Sequence, residues 1–288
     1  MPARLKKGSL LAERYEILRV SGSGSFGVVY AARDTMEEHL VAIKEMPMQS
    51  IVDCERQAQL RAVLTHPSIP RIFSYFATEE NSYLVQQLVL GSDLEAVLEK
   101  HFGFLPEKTV LDWGIQICDV LDYLHTHPLH AVIFRDLKPN NVMVDDKGRI
   151  YLVDFGLARI FPPRFFERPQ PLFEHLRKGL AIGTEGYSPP EQYEGIVLPQ
   201  SDLYAAGASL HHLLTRRDPR KEPAFSFDET PVRSINPEVS EAFEAIIMKC
   251  LERDPQKRYP TADALRSELK ALARQLKHDA ALQGSAEK

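Results

Sequence analysis

Over its first ninety residues the chain sets short β-rich runs between Gly/Ser stretches and polar turns. "YEILRV", "VVYAAR" and "LVAIK" predict three strands, the last two parted by the polar turn "DTMEEH". One helical segment is expected over 53–64, and "SYLVQQLVL" predicts a further strand ended by Gly91. Beyond Gly91 the pattern becomes helical. Val110, Trp113, Ile117, Leu121 and Leu124 recur at steps of three and four on one face, and Pro106 suits the first turn of that helix. Further helices are predicted over 202–214, 240–251 and 261–276, with Ser240 and Thr261 as N-caps. Two short strands, "NVMV" and "IYLVDF", flank the turn "DDKG". The expectation is an α+β fold, a small β-rich lobe before a larger helical lobe, with a boundary near Gly91. A ligand is expected in the cleft between two such unlike lobes.

Composition narrows the function classes. The 288 residues are 44% hydrophobic and 26% charged, as in a soluble protein with a real core. A net charge of −5, with the basic residues scattered, argues against a nucleic-acid or membrane-surface binder. Cys54, Cys118 and Cys250 are odd in number and far apart, so a small buried hydrophobe is the reading for each and a reducing, cytoplasmic setting is expected. No apolar run is long enough to span a membrane, and the opening "MPARLKKGSLLAERYE" has no apolar core of signal-peptide length.

The chemistry concentrates in four motifs. In "SGSGSFGVV", Gly22, Gly24 and Gly27 form G-x-G-x-x-G with Val29 two residues on. A strand follows these glycines instead of the helix a dinucleotide fold needs, which makes the motif a flap whose backbone N–H groups can close over phosphates. "VAIK" ends a strand on Lys44, whose ammonium suits phosphates. "VIFRDLKPNN" runs from apolar residues into Arg135, Asp136, Lys138 and Asn141, and "DFG" opens on Asp154. A carboxylate can take a hydroxyl proton, while an amide and a second carboxylate offer oxygens to Mg²⁺. Each motif alone has a plain structural reading: a flexible hairpin, a solvated lysine, a turn cap, a chance tripeptide. Their joint order makes coincidence improbable.

In that order the chain resembles the protein-kinase family from about Tyr15 to Leu276, and most closely bacterial eukaryotic-type serine/threonine kinases. "RDLKPNN" is similar to the serine/threonine form of the catalytic loop. "GTEGYSPPE" resembles the close of the activation segment, "SDLYAAG" the central helix, and "RDPQKR" the late Arg motif in which Arg258 pairs with Glu191. The resemblance implies a two-lobed kinase domain over 15–276 (lobes 15–90 and 91–276), an extension over 1–14 and a tail over 277–288. It implies transfer of the γ-phosphoryl group of ATP, with Mg²⁺, to Ser or Thr of protein substrates. Asp136 is then the base and Lys138 assists the phosphate, while Asn141 and Asp154 hold Mg²⁺. Lys44 grips the α/β-phosphates beneath the flap of Ser21, Gly22, Ser23, Gly24, Ser25, Phe26 and Gly27. Val29, Ala42 and Met143 enclose adenine, Gln87 and Val89 meet it through their backbones, Gln86 is the gatekeeper, and Asp93 faces the ribose.

Several positions depart from the family. Phe134 precedes Arg-Asp where His or Tyr is usual, and remains an aromatic packing residue. Pro189 replaces Ala, and Ser21 an apolar residue over adenine. In the helix after Lys44, Gln57 stands where the family places the Glu partner of that lysine, and Arg61 where an aliphatic residue packs on the D-F-G Phe. From Leu157 to Gly183 there is no Ser, Thr or Tyr, so a built-in acid, Glu167 or Glu174, is expected to face Arg135. A pseudokinase or nucleotide-binding scaffold is the alternative, and a dimer or regulatory partner is expected at the altered helix.

Overall fold

The computed structural model describes residues 5–24, 27–47, 55, 60, 63–162 and 183–286. Ser25, Phe26, Cys54, Gln57, Arg61, Glu167 and Glu174 lie outside them. The chain forms two compact units, Met1–Leu90 and Gly91–Lys288.

Among its described residues the first unit is built on six strands: β1 (Leu10–Leu11), β2 (Tyr15–Gly24), β3 (Gly27–Asp34), β4 (His39–Pro47), β5 (Ile72–Ala77) and β6 (Asn81–Gln87). They form one antiparallel sheet in the order β1-β2-β3-β4-β6-β5. Cross-strand partners share a face and successive residues alternate, so register sorts the side chains. Tyr15, Ile17, Tyr30, Ala32, Val41, Ile43, Tyr83 and Val85 make one buried cluster. Glu45 is buried as well, accepting hydrogen bonds from Tyr30 Oη at 2.6 Å, Tyr83 Oη at 3.0 Å and Asn81 Nδ2 at 2.9 Å. Three donors satisfy a carboxylate that burial would otherwise make costly. Of the helical segment expected at 53–64, Glu55, Leu60 and Val63 are helical and described, and Leu60 is buried.

The second unit holds short strands β7 (Gly91–Asp93), β8 (Ala131–Ile133), β9 (Val142–Asp145), β10 (Ile150–Leu152) and β11 (Arg159–Phe161). These pair as β10-β9-β7 and β11-β8. Its helices are α1 (Leu94–Lys100), α2 (Glu107–His125), α3 (Pro190–Tyr193), α4 (Pro199–Thr215), α5 (Val232–Ile235), α6 (Glu241–Cys250) and α7 (Ala262–Ala286). Every residue of α4 from Ser201 to Thr215 is buried, which makes it the post around which the others pack. Gly207 permits the closest approach, since a Cβ there would stand 2.6 Å from Cys250 Cβ. Cys118 and Cys250 are free, fully buried thiols, as read from the sequence. Ser240 caps α6 by accepting from Phe243 N at 3.2 Å.

Several boundaries differ from expectation: α4 begins at Pro199, ahead of the expected 202, β10 ends at Leu152, short of the expected 155, and β6 ends at Gln87, short of Gly91. Pro106 sits at the N-cap of α2, one step before the first turn. Helix α7 runs past Leu276 to Ala286, because "KHDAALQ" contains helix formers and no breaker before Gly284.

Candidate active site

In the first unit, β2, β3 and β4 carry the glycine-rich motif and Lys44. Gly22 pairs with Val29, and Val29 with Lys44, so three predicted site residues lie in one row across the sheet. Ala31 pairs with Ala42 and Ala42 with Gln86, on the same face as Lys44 and opposite the buried cluster. The ladder closes at Gly24 and Gly27, with Ser23 paired to Val28. Gly27 is obligatory on two counts: its φ is +132°, and a Cβ would come 1.9 Å from the Glu45 carbonyl oxygen. Ser21 falls in the irregularity between Val20 and Gly22 and is exposed. Lys44 is buried. Gln87 donates its backbone N–H to Arg71 O at 2.8 Å, while Val89 is buried beyond the strand.

In the second unit, Asp93 and Met143 are cross-strand partners in β7 and β9. Asp93 also caps α1, its Oδ1 accepting from Ala96 N at 2.8 Å. The turn before β9 gathers the polar groups. Asn141 Nδ2 donates to Asp136 O and to Asp136 Oδ2, each at 2.8 Å. Lys138 Nζ donates to both Asp136 oxygens, at 3.2 and 3.0 Å, and to Thr184 Oγ1 at 2.6 Å. Thr184 Oγ1 donates in turn to Asp136 Oδ1 at 2.6 Å. Asp136, Lys138, Asn141 and Thr184 thus form one closed network. Asp154 follows β10, with its Oδ1 accepting from Gly156 N at 3.2 Å. Arg135 and Asp154 both have left-handed backbones, φ 69° and 60°, which side chains other than glycine adopt at a cost.

Asp202 on the central helix holds the strained loop. Its Oδ2 accepts from Phe134 N and its Oδ1 from Arg135 N, each at 2.8 Å, and His125 Nε2 lies 2.8 Å from Oδ2. Gln192 Nε2 donates to Arg135 O at 2.9 Å, so the Arg135 residue is held at both its N–H and its carbonyl. Phe134 is fully buried and meets Phe155 edge to face at 5.0 Å, the packing role its aromatic character implied. Sequence reasoning placed "SDLYAAG" in the central helix but assigned no task to Asp202, His125 or Gln192. The nearest signal was an acid inside an otherwise apolar helical run.

The segment from Gly183 is fixed by the same helix. Tyr187 Oη and His212 Nδ1 share a hydrogen bond at 2.7 Å. Burial holds the His212 imidazole down to about 4 and pushes the Tyr187 hydroxyl well above its ordinary value. Glu191 and Arg258 pair as the late motif implied, Nη1 to Oε1 at 2.7 Å and Nη2 to Oε2 at 2.9 Å, both residues buried. Ser201 Oγ and the carbonyls of Gln200, Glu252 and Arg253 supply further partners, as a buried ion pair requires.

The chain matches the family model for the protein kinase domain over residues 15–269, and it belongs to that family. It is 33% identical to a probable serine/threonine-protein kinase of Streptomyces coelicolor, over 91% of this chain and 40% of that protein. It is 32% identical to the serine/threonine-protein kinase PrkC of Bacillus subtilis, over 91% of this chain and 41% of that protein. Against the serine/threonine-protein kinase PknH of Mycobacterium tuberculosis the identity is 30%, over 87% of this chain and 40% of that protein. The bacterial serine/threonine-kinase resemblance therefore holds, and the chain spans about two fifths of the length of these relatives. Among the described residues, no helix is long and apolar enough to cross a membrane.

Proposed function

We propose that this chain, through a kinase domain over 15–276, transfers the γ-phosphoryl group of ATP to Ser or Thr hydroxyls of protein substrates in the presence of Mg²⁺. The observation that carries the reading is the closed network of Asp136, Lys138, Asn141 and Thr184, a carboxylate oriented from every side by charged and neutral donors. Asp136 accepts the proton of the attacking hydroxyl, with Asn141 and Lys138 fixing its rotamer. Lys138 also presents a point charge to the phosphoryl group in transfer.

The residues present fit Mg²⁺. The amide nitrogen of Asn141 is committed to Asp136, which leaves its oxygen as the end for a hard cation, and Asp154 offers a carboxylate. One or two such protein oxygens, completed by those of substrate phosphates, suit a hard ion that neutralises phosphate charge. Lys44, in one row with Gly22 and Val29, holds the α/β-phosphates, and Val29, Ala42, Met143 and the backbone at Val89 take adenine. A cytoplasmic setting belongs to the same proposal, and the thiols of Cys118 and Cys250, free among the described residues, are compatible with it.

Asp136→Asn tests it. The substitution keeps the shape of the network but removes the proton acceptor, so ATP binding should persist while transfer to a generic serine-containing basic protein falls by at least about a hundredfold. Equal rates for variant and wild type would overturn the assignment.

A further inference from the structure

Helix α2, the turn after β9 and residues 270–277 of α7 enclose an open groove of about 850 Å³. Its floor is apolar, with Leu111, Trp113 and Leu276 among its lining. Its rim is basic: Lys108, Lys270, Arg274 and Lys277 all line it and are exposed. One carboxylate lies among them, Asp112, whose Oδ2 already accepts from Gln116 Nε2 at 3.0 Å. Four cations less one anion leave the groove strongly positive, in a chain whose net charge is −5.

None of the four has a hydrogen-bond or ion-pair partner among the described residues. Elsewhere in this unit Arg217, Arg220, Arg258 and Arg266 each meet a carboxylate. The wall is firm, because Gln116 Nε2 donates to Gly148 O at 2.9 Å and Gln116 Oε1 accepts from Ile150 N at 3.1 Å, tying the turn to α2. A preformed apolar floor ringed by uncompensated positive charge is complementary to an amphipathic segment of opposite sign.

We propose that this groove docks an acidic amphipathic segment of a partner protein, apolar side chains on the floor and carboxylates toward Lys108, Lys270, Arg274 and Lys277. The floor is recessed, which suits an inserted side chain; an anionic bilayer is better met by apolar groups that project from a surface. The groove shares no residue with the network around Asp136, so the proposal stands apart from the phosphoryl-transfer reading.

Trp113 is the one tryptophan in the chain, so its emission reports on this groove. The probe is a synthetic amphipathic peptide with Glu at its polar positions and Leu and Phe at its apolar ones. A saturable change in Trp113 emission is expected, weakening with added salt and weakening roughly ten-fold in the Lys270→Glu/Arg274→Glu double variant. Should that variant fold poorly, Lys277→Glu alone should weaken binding by a smaller factor at unchanged melting temperature. Three results would overturn the proposal: variants that bind as wild type does; equal binding of a peptide with Ser in place of Leu and Phe, which is diffuse charge attraction; or a response to phosphatidylglycerol vesicles with none to the peptide.

Discussion

Arg135 is a strained point of the catalytic turn. A left-handed φ of 69° costs an ordinary residue about 1–2 kcal/mol, so the turn persists only because its surroundings hold it. Asp202 accepts the Phe134 and Arg135 N–H groups, and Gln192 donates to the Arg135 carbonyl. Asp202 is fully buried, so Asp202→Ala would strand two buried donors at about 1–3 kcal/mol each. A loss of about 2–6 kcal/mol in denaturant unfolding is expected, with kcat falling far more than affinity for ATP. Asp202→Asn, which keeps one acceptor oxygen, should recover part of both. An alanine variant as stable and as active as wild type would remove Asp202 from this role. These contacts were illegible in the sequence because they join residues 57 to 68 positions apart. The Glu191–Arg258 pair is as remote, yet it was legible, because each partner sits in a motif whose pairing the family resemblance supplies.

At the scale of elements, legibility followed the cleanness of the burial pattern. Helix α2 buries Val110, Trp113, Ile117, Leu121 and Leu124, the five positions whose spacing predicted it. Strand β5 gave no such signal. It lies at the sheet edge with Phe73 and Tyr75 exposed at 46% and 41%, so apolar residues occupy both of its faces and the alternation is lost. The central helix α4 was found, but its two histidines carry a consequence that spacing does not reveal. His211 and His212 are buried, and burial disfavours their charged forms. For His212 the folded value is about 4 against an ordinary 6.5, so the unfolded chain binds the extra proton first as pH falls. Stability from this source is therefore complete above pH 6.5 and is lost as pH drops toward 4. At 1.36 kcal/mol per unit, the loss reaches about 3 kcal/mol at most. Melting curves of wild type and His212→Gln should diverge in neutral buffer and converge toward pH 4. Parallel curves across that range would show that His212 is not the group responsible.

At the scale of the whole molecule, the question is how such a site would be switched. Kinases with Arg before the catalytic Asp commonly use that Arg to grip a phosphorylated residue in the activation segment, and here 157–183 contains no hydroxyl side chain. The next hydroxyls along the chain are already engaged. Thr184 Oγ1 is bonded to Lys138 and Asp136, the Tyr187 hydroxyl is bonded to His212, and Ser188 is buried beside Gln192. Phosphorylation of any of them would force about two negative charges into a bonded or buried position and disrupt what surrounds it. The chain should therefore work without a phosphate there. A fixed carboxylate is the natural substitute, weaker because it carries about one charge where phosphate carries nearly two. Glu167 and Glu174 remain the candidates from sequence, outside the described residues. Protein dephosphorylated with a phosphatase, then freed of that enzyme, should phosphorylate a generic substrate at its original initial rate and without a lag. A large fall in rate, or a lag that shortens as the chain rephosphorylates itself, would show that a phosphorylated residue elsewhere controls the site.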